Sequence, residues 1–392
     1  MKQQTSNQTG RHVFRYRVIS SLGVILMLGI LAVPAQRGTA QELTLHEHLE
    51  EIPVAQRGPF VRLGDGGILT VDRTDSLVSY DEGRTWERFP MFGESEEYRI
   101  SNRALQRTAD GVVVVGFSNP VERHWTWDSE INDAPGAILP TYVVRSLDDG
   151  RTWEKPQKLH DEWTGSVRDM IVTSDGKVVF TTMMMRNDPG RHTVLTYTSD
   201  DAGETWQRSN IIDLGGVGNH GGVTEATLEE LTDGRLMKLI RTNWGEFWRA
   251  ESKDGGLYWH PMGPSGIPAS STPGILTRLE SGRLMLIWNR PTPEGEEEYR
   301  MVGGDNIWSS VPTSNHRSEL SLAFSEDDGE SWSDPVVIAR IETGGYRSRA
   351  MPRHEIAYPF AFEASPGEVW VVSWRGPLRA KFYEKDFVGA GE

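Results

Sequence analysis

Arg57, Glu225 and Tyr358 each stand nine residues before a glycine, Gly66, Gly234 and Gly367, and each glycine lies in a break between two apolar runs. An arginine, a carboxylate and a phenol are side chains that bind anions through a rigid fork, exchange protons and form covalent bonds to carbon. If the three breaks are one hairpin written repeatedly, the three side chains hold the same place in different copies of one unit and converge where the copies meet. The same count in the other copies gives Asn102, Val167 and Pro273, so the place is not polar by default.

The units that must position them are legible as repeats. "SYDEGRTW" at 79–86 returns as "SLDDGRTW" at 146–153, "SDDAGETW" at 199–206, "SKDGGLYW" at 252–259 and "SEDDGESW" at 325–332. The shared parts build a hairpin turn: Ser and Asp bond turn backbone, Gly tolerates positive φ, and the closing Trp buries a large ring. Asp81, Asp148, Asp201, Asp254 and Asp327 are therefore read as turn acceptors and not as metal ligands. Ahead of each copy runs a second break, in "RLGDGGILTV", "RTADGVVVVG", "VTSDGKVVFT", "LTDGRLMKLI" and "LESGRLMLIW", and a sixth, "ASPGEVWVVS", follows the last. Asp-Gly between strand-like runs marks a hairpin. Six first turns and five second turns predict six units of four short strands, an all-β six-bladed β-propeller over residues 45–392, closed by its terminal strands.

Composition bounds the rest. With 41 basic and 56 acidic residues the net charge is −15, which argues against a general nucleic-acid binder. There is no cysteine, so thiol chemistry and disulfides are excluded, and the 14 tryptophans and 37% hydrophobic residues must supply the core. The ten histidines form no His-x-x-x-His pair, leaving no ground for a catalytic zinc, and nothing calls for a cofactor. Residues 1–40 carry Lys2, Arg11, Arg15, Arg17 and Arg37 but no acid, then "VILMLGILAV", then small residues. That order reads as a signal peptide cut after Ala35 or Ala40, with an uncleaved anchor as the alternative, and predicts a secreted or periplasmic protein.

The five boxes resemble the Asp-box, or BNR, repeats of the sialidase (neuraminidase) superfamily, over nearly the whole chain after the leader. That resemblance implies a retaining exo-glycosidase in which an arginine triad grips the substrate carboxylate, a tyrosine is the nucleophile, a glutamate activates it and an aspartate is the acid/base. "RGP" at Arg57 is similar to the family's Arg-Ile-Pro motif, with Gly58 in place of isoleucine. Glu225 in "TEATLEEL" and Arg241 in "LIRT" look like the glutamate and second arginine, Arg317 in "NHRSEL" like the third, and Tyr358 in "AYPFAF" like the nucleophile. Arg249 and Arg290 are nearby rivals for the two arginines. For the acid/base, "VDRTDS" offers Asp75 and Asp72 beside Arg73, in a loop shorter than the family's, and Asp128, Glu130 and Asp133 in "HWTWDSEIND" are alternatives. The implied substrate is a sialylated or other acidic glycan. A non-catalytic glycan- or protein-binding propeller is the competing class, because the boxes report the fold and not the chemistry.

Overall fold

The computed structural model describes residues 43–342 and 355–389. The leader falls outside them, and among the described residues no helix is long and apolar enough to cross a membrane.

Among the described residues the strands group into six antiparallel blades in chain order and one two-stranded hairpin, Met301–Gly303 with Pro312–Ser314, inserted into blade five. Blade one is Val61–Arg62, Ile68–Val71, Asp75–Ser79 and Glu87–Pro90, and blade two is Arg103–Arg107, Val113–Ser118, Ile138–Ser146 and Gln157–Glu162. Blade three runs from Val167–Val172 to Gln207–Arg208, blade four from Thr224–Glu230 to Trp259–Pro268, and blade five from Ile275–Arg278 to Val336–Ile341. Blade six has only three strands of its own, Ala357–Ser365, Glu368–Arg375 and Arg379–Tyr383, and Glu50–Glu51 from the other end of the chain supplies the fourth by pairing with Lys381 and Ala380. Leu43–Leu45 adds a fifth strand to blade five, opposite Ile341. Both ends of the ring are thus paired, which covers backbone edges that would otherwise be open.

The box turns form as their residue types require. In the first, Ser79 Oγ accepts from Gly83 N at 2.9 Å, Asp81 accepts from Thr85 N and Thr85 Oγ1 at 2.8 and 2.7 Å, and Trp86 Nε1 donates to Gly83 O at 2.9 Å. The box glycines take positive φ (77° at Gly83), directly after a residue also at positive φ, Glu82. The rings also join blades: Trp259 Nε1 donates to Thr196 Oγ1 of blade three at 2.7 Å, and Trp153 Nε1 to Ser76 Oγ of blade one at 3.1 Å.

Six apolar clusters fill the six gaps between neighbouring blades, from Leu69, Val78, Leu105 and Val115 between one and two to Phe60, Ile68, Phe360 and Trp370 between six and one. The innermost strands surround a cavity of about 220 Å³, lined by Val61, Leu105, Met170, Glu229, Leu276 and Ala361, one from each blade. Side chains at the ends of those strands are therefore the ones that can meet on the axis.

Candidate functional site

Glu225 is the second residue of the first strand of blade four, and Arg241 ends the strand that pairs with it. Thr224 is opposite Arg241 and Ala226 opposite Ile240, so Glu225 is an extra residue, a bulge, in the register. A bulge re-aims a side chain, and here it sets the carboxylate against the guanidinium. Arg241 Nη1 and Glu225 Oε2 form an ion pair with both side chains buried (6% and 9% exposed). The same nitrogen donates to Tyr358 Oη at 3.2 Å, and the phenol hydroxyl lies 3.5 Å from Glu225 Oε2 as a donor. Arg241 Nε and Nη2 both donate to Ser271 Oγ, at 3.2 and 3.0 Å, and Ser271 donates to Asn243 Oδ1 at 2.7 Å.

Tyr358, the second residue of the first strand of blade six, has φ of 58°. A bulky side chain in that region is strained by about 1–3 kcal/mol, and such strain collects at functional sites. Two further guanidiniums face its ring: Arg375 with its central carbon 4.4 Å from the centroid, and Arg317 at 5.5 Å. Glu355 bridges that pair, 3.3 Å from Arg317 and 3.8 Å from Arg375. Arg317 is further held by Asn315 Oδ1 at 2.9 Å and the carbonyl of Ser271 at 3.2 Å.

The charges follow from these contacts. Burial pushes the Glu225 carboxyl up, but Arg241, Arg375 and Arg168 outweigh it and hold the group below its usual range, as a carboxylate. Burial lowers Arg241, yet Glu225 and Tyr358 raise it further, whereas for Arg317 burial wins and the shift is downward. His220, on the loop before blade four, is exposed, and what burial it has and then the charge of Arg241 lower its imidazole. Its imidazole stacks on Trp308 of the hairpin inserted into blade five, 4.8 Å between centroids.

Of the residues singled out in the sequence, Glu225, Arg241, Arg317 and Tyr358 come together in one contact network. Arg249 and Arg290 do not: Arg249 donates to Gly329 O and pairs with Glu251 and Glu330, and Arg290 donates to Ser321 Oγ. Arg57 is exposed on the segment before blade one, close enough to Arg103 and Arg379 that its charge lowers both, and no contact joins it to Tyr358. Gly58 after it has φ of 70°, and a Cβ there would lie 3.2–3.3 Å from Phe360, Phe60 and Val372. A β-branched residue does not fit that backbone, so isoleucine could not stand in place of Gly58 here without the chain shifting.

Asp72 and Asp75 share one cation, Arg88, at 2.6 and 2.9 Å. Asp72 also accepts from the backbone N–H groups of Thr74 and Asp75. Burial pushes its carboxyl up, but those two N–H groups and Arg88 prevail and hold it below the ordinary range. Arg73 is exposed. Asp133 is a structural acceptor for Ala134 N and Asp188 N, at 2.7 and 2.9 Å, and Asp128 accepts from Glu130 N.

Arg375, Arg103 and Arg168 carry site charge that the sequence reading passed over. The register count stopped at Asn102 and Val167, one residue short of two buried arginines: Arg103 donates to Gly58 O at 2.7 Å and Arg168 to Gly274 O at 3.2 Å. Arg375 lies opposite Ala357 in its hairpin, as Arg241 lies opposite Thr224, so the hairpin partner of each register residue's neighbour was the available signal.

The comparisons agree with this architecture. A curated sialidase of Bacteroides fragilis (strain YCH46) is 25% identical over 285 residues, 65% of this chain and 47% of its own, so the chain spans about half the length of the relative it matches. Among solved structures, a Hadza microbial sialidase superposes with a TM-score of 0.58 at 18% identity over 84% of this chain and 65% of that one. A Dyadobacter fermentans DSM 18053 protein of unknown function gives 0.55 at 17% identity over 86% and 98%. A Trypanosoma rangeli sialidase bound to the inhibitor DANA gives 0.51 at 14% identity over 84% and 54%. At such identities these structures speak for the fold. The model of the BNR repeat-like domain matches residues 76–371, most of the propeller, and the chain belongs to that family.

Proposed function

We propose that this protein is an exported, sialidase-like retaining exo-glycoside hydrolase that removes terminal sialic acid from glycoconjugates. The observation that carries the reading is the position of Arg241, whose Nη1 bonds both Glu225 and the hydroxyl of Tyr358. Export rests on the basic, apolar and small-residue order of the leader.

In this reading Arg241 and Arg317 bind the substrate carboxylate, for which a guanidinium fork is the matching shape, and Arg57, on the exposed segment before blade one, is the third arginine, joining them only when substrate is bound. The anomeric carbon of a sialic acid bears that carboxylate, so an anionic nucleophile would approach against its charge. A neutral phenol avoids the repulsion. Tyr358 Oη passes its proton to Glu225 and bonds to the anomeric carbon, while the glycosidic bond breaks and its oxygen takes a proton from an acid, Asp75 or, once protonated against the pull of Arg88, Asp72. Water then gives its proton to the aspartate that acted as acid and attacks the anomeric carbon from the face the leaving group left, the bond to Tyr358 breaks as Glu225 returns its proton to the phenolate oxygen, and configuration is retained. Tyrosine nucleophiles in sialidases are a known departure from the two-carboxylate scheme.

One observation favours a second reading, a glycosidase for another acidic sugar. The first-blade wall is altered, with Gly58 on a positive-φ path and both first-blade aspartates tied to Arg88. The deciding experiment is fluorophore release from a 4-methylumbelliferyl sialoside and from a panel of other acidic glycosides, wild type beside Tyr358→Phe. Turnover of the sialoside that the substitution removes supports the first reading, and turnover confined to another glycoside supports the second. No turnover throughout, with ligand affinity retained, moves the protein to the binding class.

A further inference from the structure

Three guanidiniums address one phenol, and only one of them reaches its hydroxyl. Arg241 contacts the oxygen, whereas Arg375 lies over the ring face at 4.4 Å, with Glu355 as its acidic neighbour at 3.8 Å. Arg375 ends the second strand of blade six, and its Cα partner is Ala357, the residue before Tyr358, so the backbone that carries the phenol also fixes the cation.

The electron-rich face of an aromatic ring attracts a cation, and the attraction grows as charge enters the ring. Loss of the proton from Tyr358 Oη places negative charge on the oxygen and into the π system. Its acceptor, Glu225, is already held as a stable carboxylate by three arginines, Arg375 among them, which makes it a reluctant base. Stabilisation of the departing proton's electron pair therefore falls on the phenol's surroundings. A cation fixed before the reaction is suited to that, because it need not reorganise as the charge appears.

We propose that Arg375 is a positioning residue for the nucleophile, a fixed cation on the ring of Tyr358 that stabilises the charge developing as the phenol is deprotonated. The proposal rests on Tyr358 being the nucleophile. It adds a residue outside the carboxylate-binding arginines, and it makes the site depend on a charge that contacts the ring and not the substrate.

The test compares Arg375→Met and Arg375→Lys with wild type on whichever glycoside is turned over. Arg375→Met should lower kcat by about 10²-fold with KM within about threefold, and Arg375→Lys should recover about a tenth of wild-type kcat or more, since charge is kept. A raised KM at unchanged kcat would assign Arg375 to the substrate carboxylate and overturn the proposal, as would a lysine variant no better than methionine. A second measurement needs no glycoside: acetylation of Tyr358 by N-acetylimidazole, followed by peptide mass mapping of the folded protein. It should be several-fold slower in Arg375→Met and partly restored in Arg375→Lys, and equal rates in all three proteins sink the idea. If no glycoside is turned over but the acetylation rates differ, the hydrolase reading fails while the ring–cation coupling stands.

Discussion

Glu225 and Arg241 form a buried ion pair across a bulge in blade four, with the arginine's Nη1 shared with Tyr358. Removing one partner of a buried pair leaves the other charge desolvated. Glu225→Ala should therefore cost about 3–5 kcal/mol of stability, read by urea unfolding. Glu225→Gln, which keeps an acceptor for Arg241, should cost less but still reduce turnover by about 10²-fold or more, because the amide cannot take the phenol's proton.

The first-blade aspartates can be separated by leaving group. An acid matters most when the departing oxygen is poor. Substituting the true acid should slow hydrolysis of a natural disaccharide by about 10²–10⁴-fold and an aryl glycoside far less. Asp72→Asn and Asp75→Asn, each assayed on both substrates, should differ in this ratio. Equal ratios in the two variants would place the acid elsewhere, with the blade-two loop from Asp128 to Asp133 next to examine.

Two groups of carboxyls give stability opposite dependence on pH. In Asp201 burial raises the carboxyl, but Thr205 side chain and backbone outweigh it and bring it to about 2, and Asp81 and Asp327, bonded in the same way, also lie at about 2. Their folded values are below the unfolded 3.8, so their contribution is complete above that pH and is lost as pH falls through about 2. Glu229, lining the axial cavity, is raised by burial from 4.5 to about 7. Between those values the folded state keeps a proton on Glu229 that the unfolded state has released, so the contribution of this group declines as pH rises from 4.5 to about 7. Urea midpoints measured from pH 3 to 8 should show a wild-type advantage over Glu229→Gln that shrinks as pH rises from 4.5 to about 7, a difference that cancels groups such as His160, which burial lowers to about 4 and which acts in the opposite sense.

The box rings are structural staples of unequal weight. Trp259 is fully buried and its Nε1 bonds Gly256 O and Thr196 Oγ1 at 3.0 and 2.7 Å. Trp259→Ala should cost about 3–5 kcal/mol. Trp86, which is only partly buried, should cost less on the same substitution, and unfolding of both variants checks the order.

The repeats made the fold readable because each blade is built from local signals. A Ser-x-Asp-x-Gly turn closes with side chains four residues apart, so its chemistry is complete within eight residues of sequence. Counting back from such turns reached Glu225 and Tyr358, since hairpins of equal length carry their strand ends to equivalent places. Arg241 and Arg317 were reached through family spacing. Other features needed the closed ring. The pairing of Glu50–Glu51 with the last blade joins segments from opposite ends of the chain. Arg88 neutralises Asp72 and Asp75 from across a hairpin, and Arg103 and Arg168 sit one place beyond the counted register. Sequence alone determined that six like units would present their strand ends to a common axis, because turn chemistry is local. Which charges meet there, and that Arg375 lies on the ring of Tyr358, was decided only by the tertiary structure, because bulges and a positive φ re-aim side chains in ways that spacing does not record.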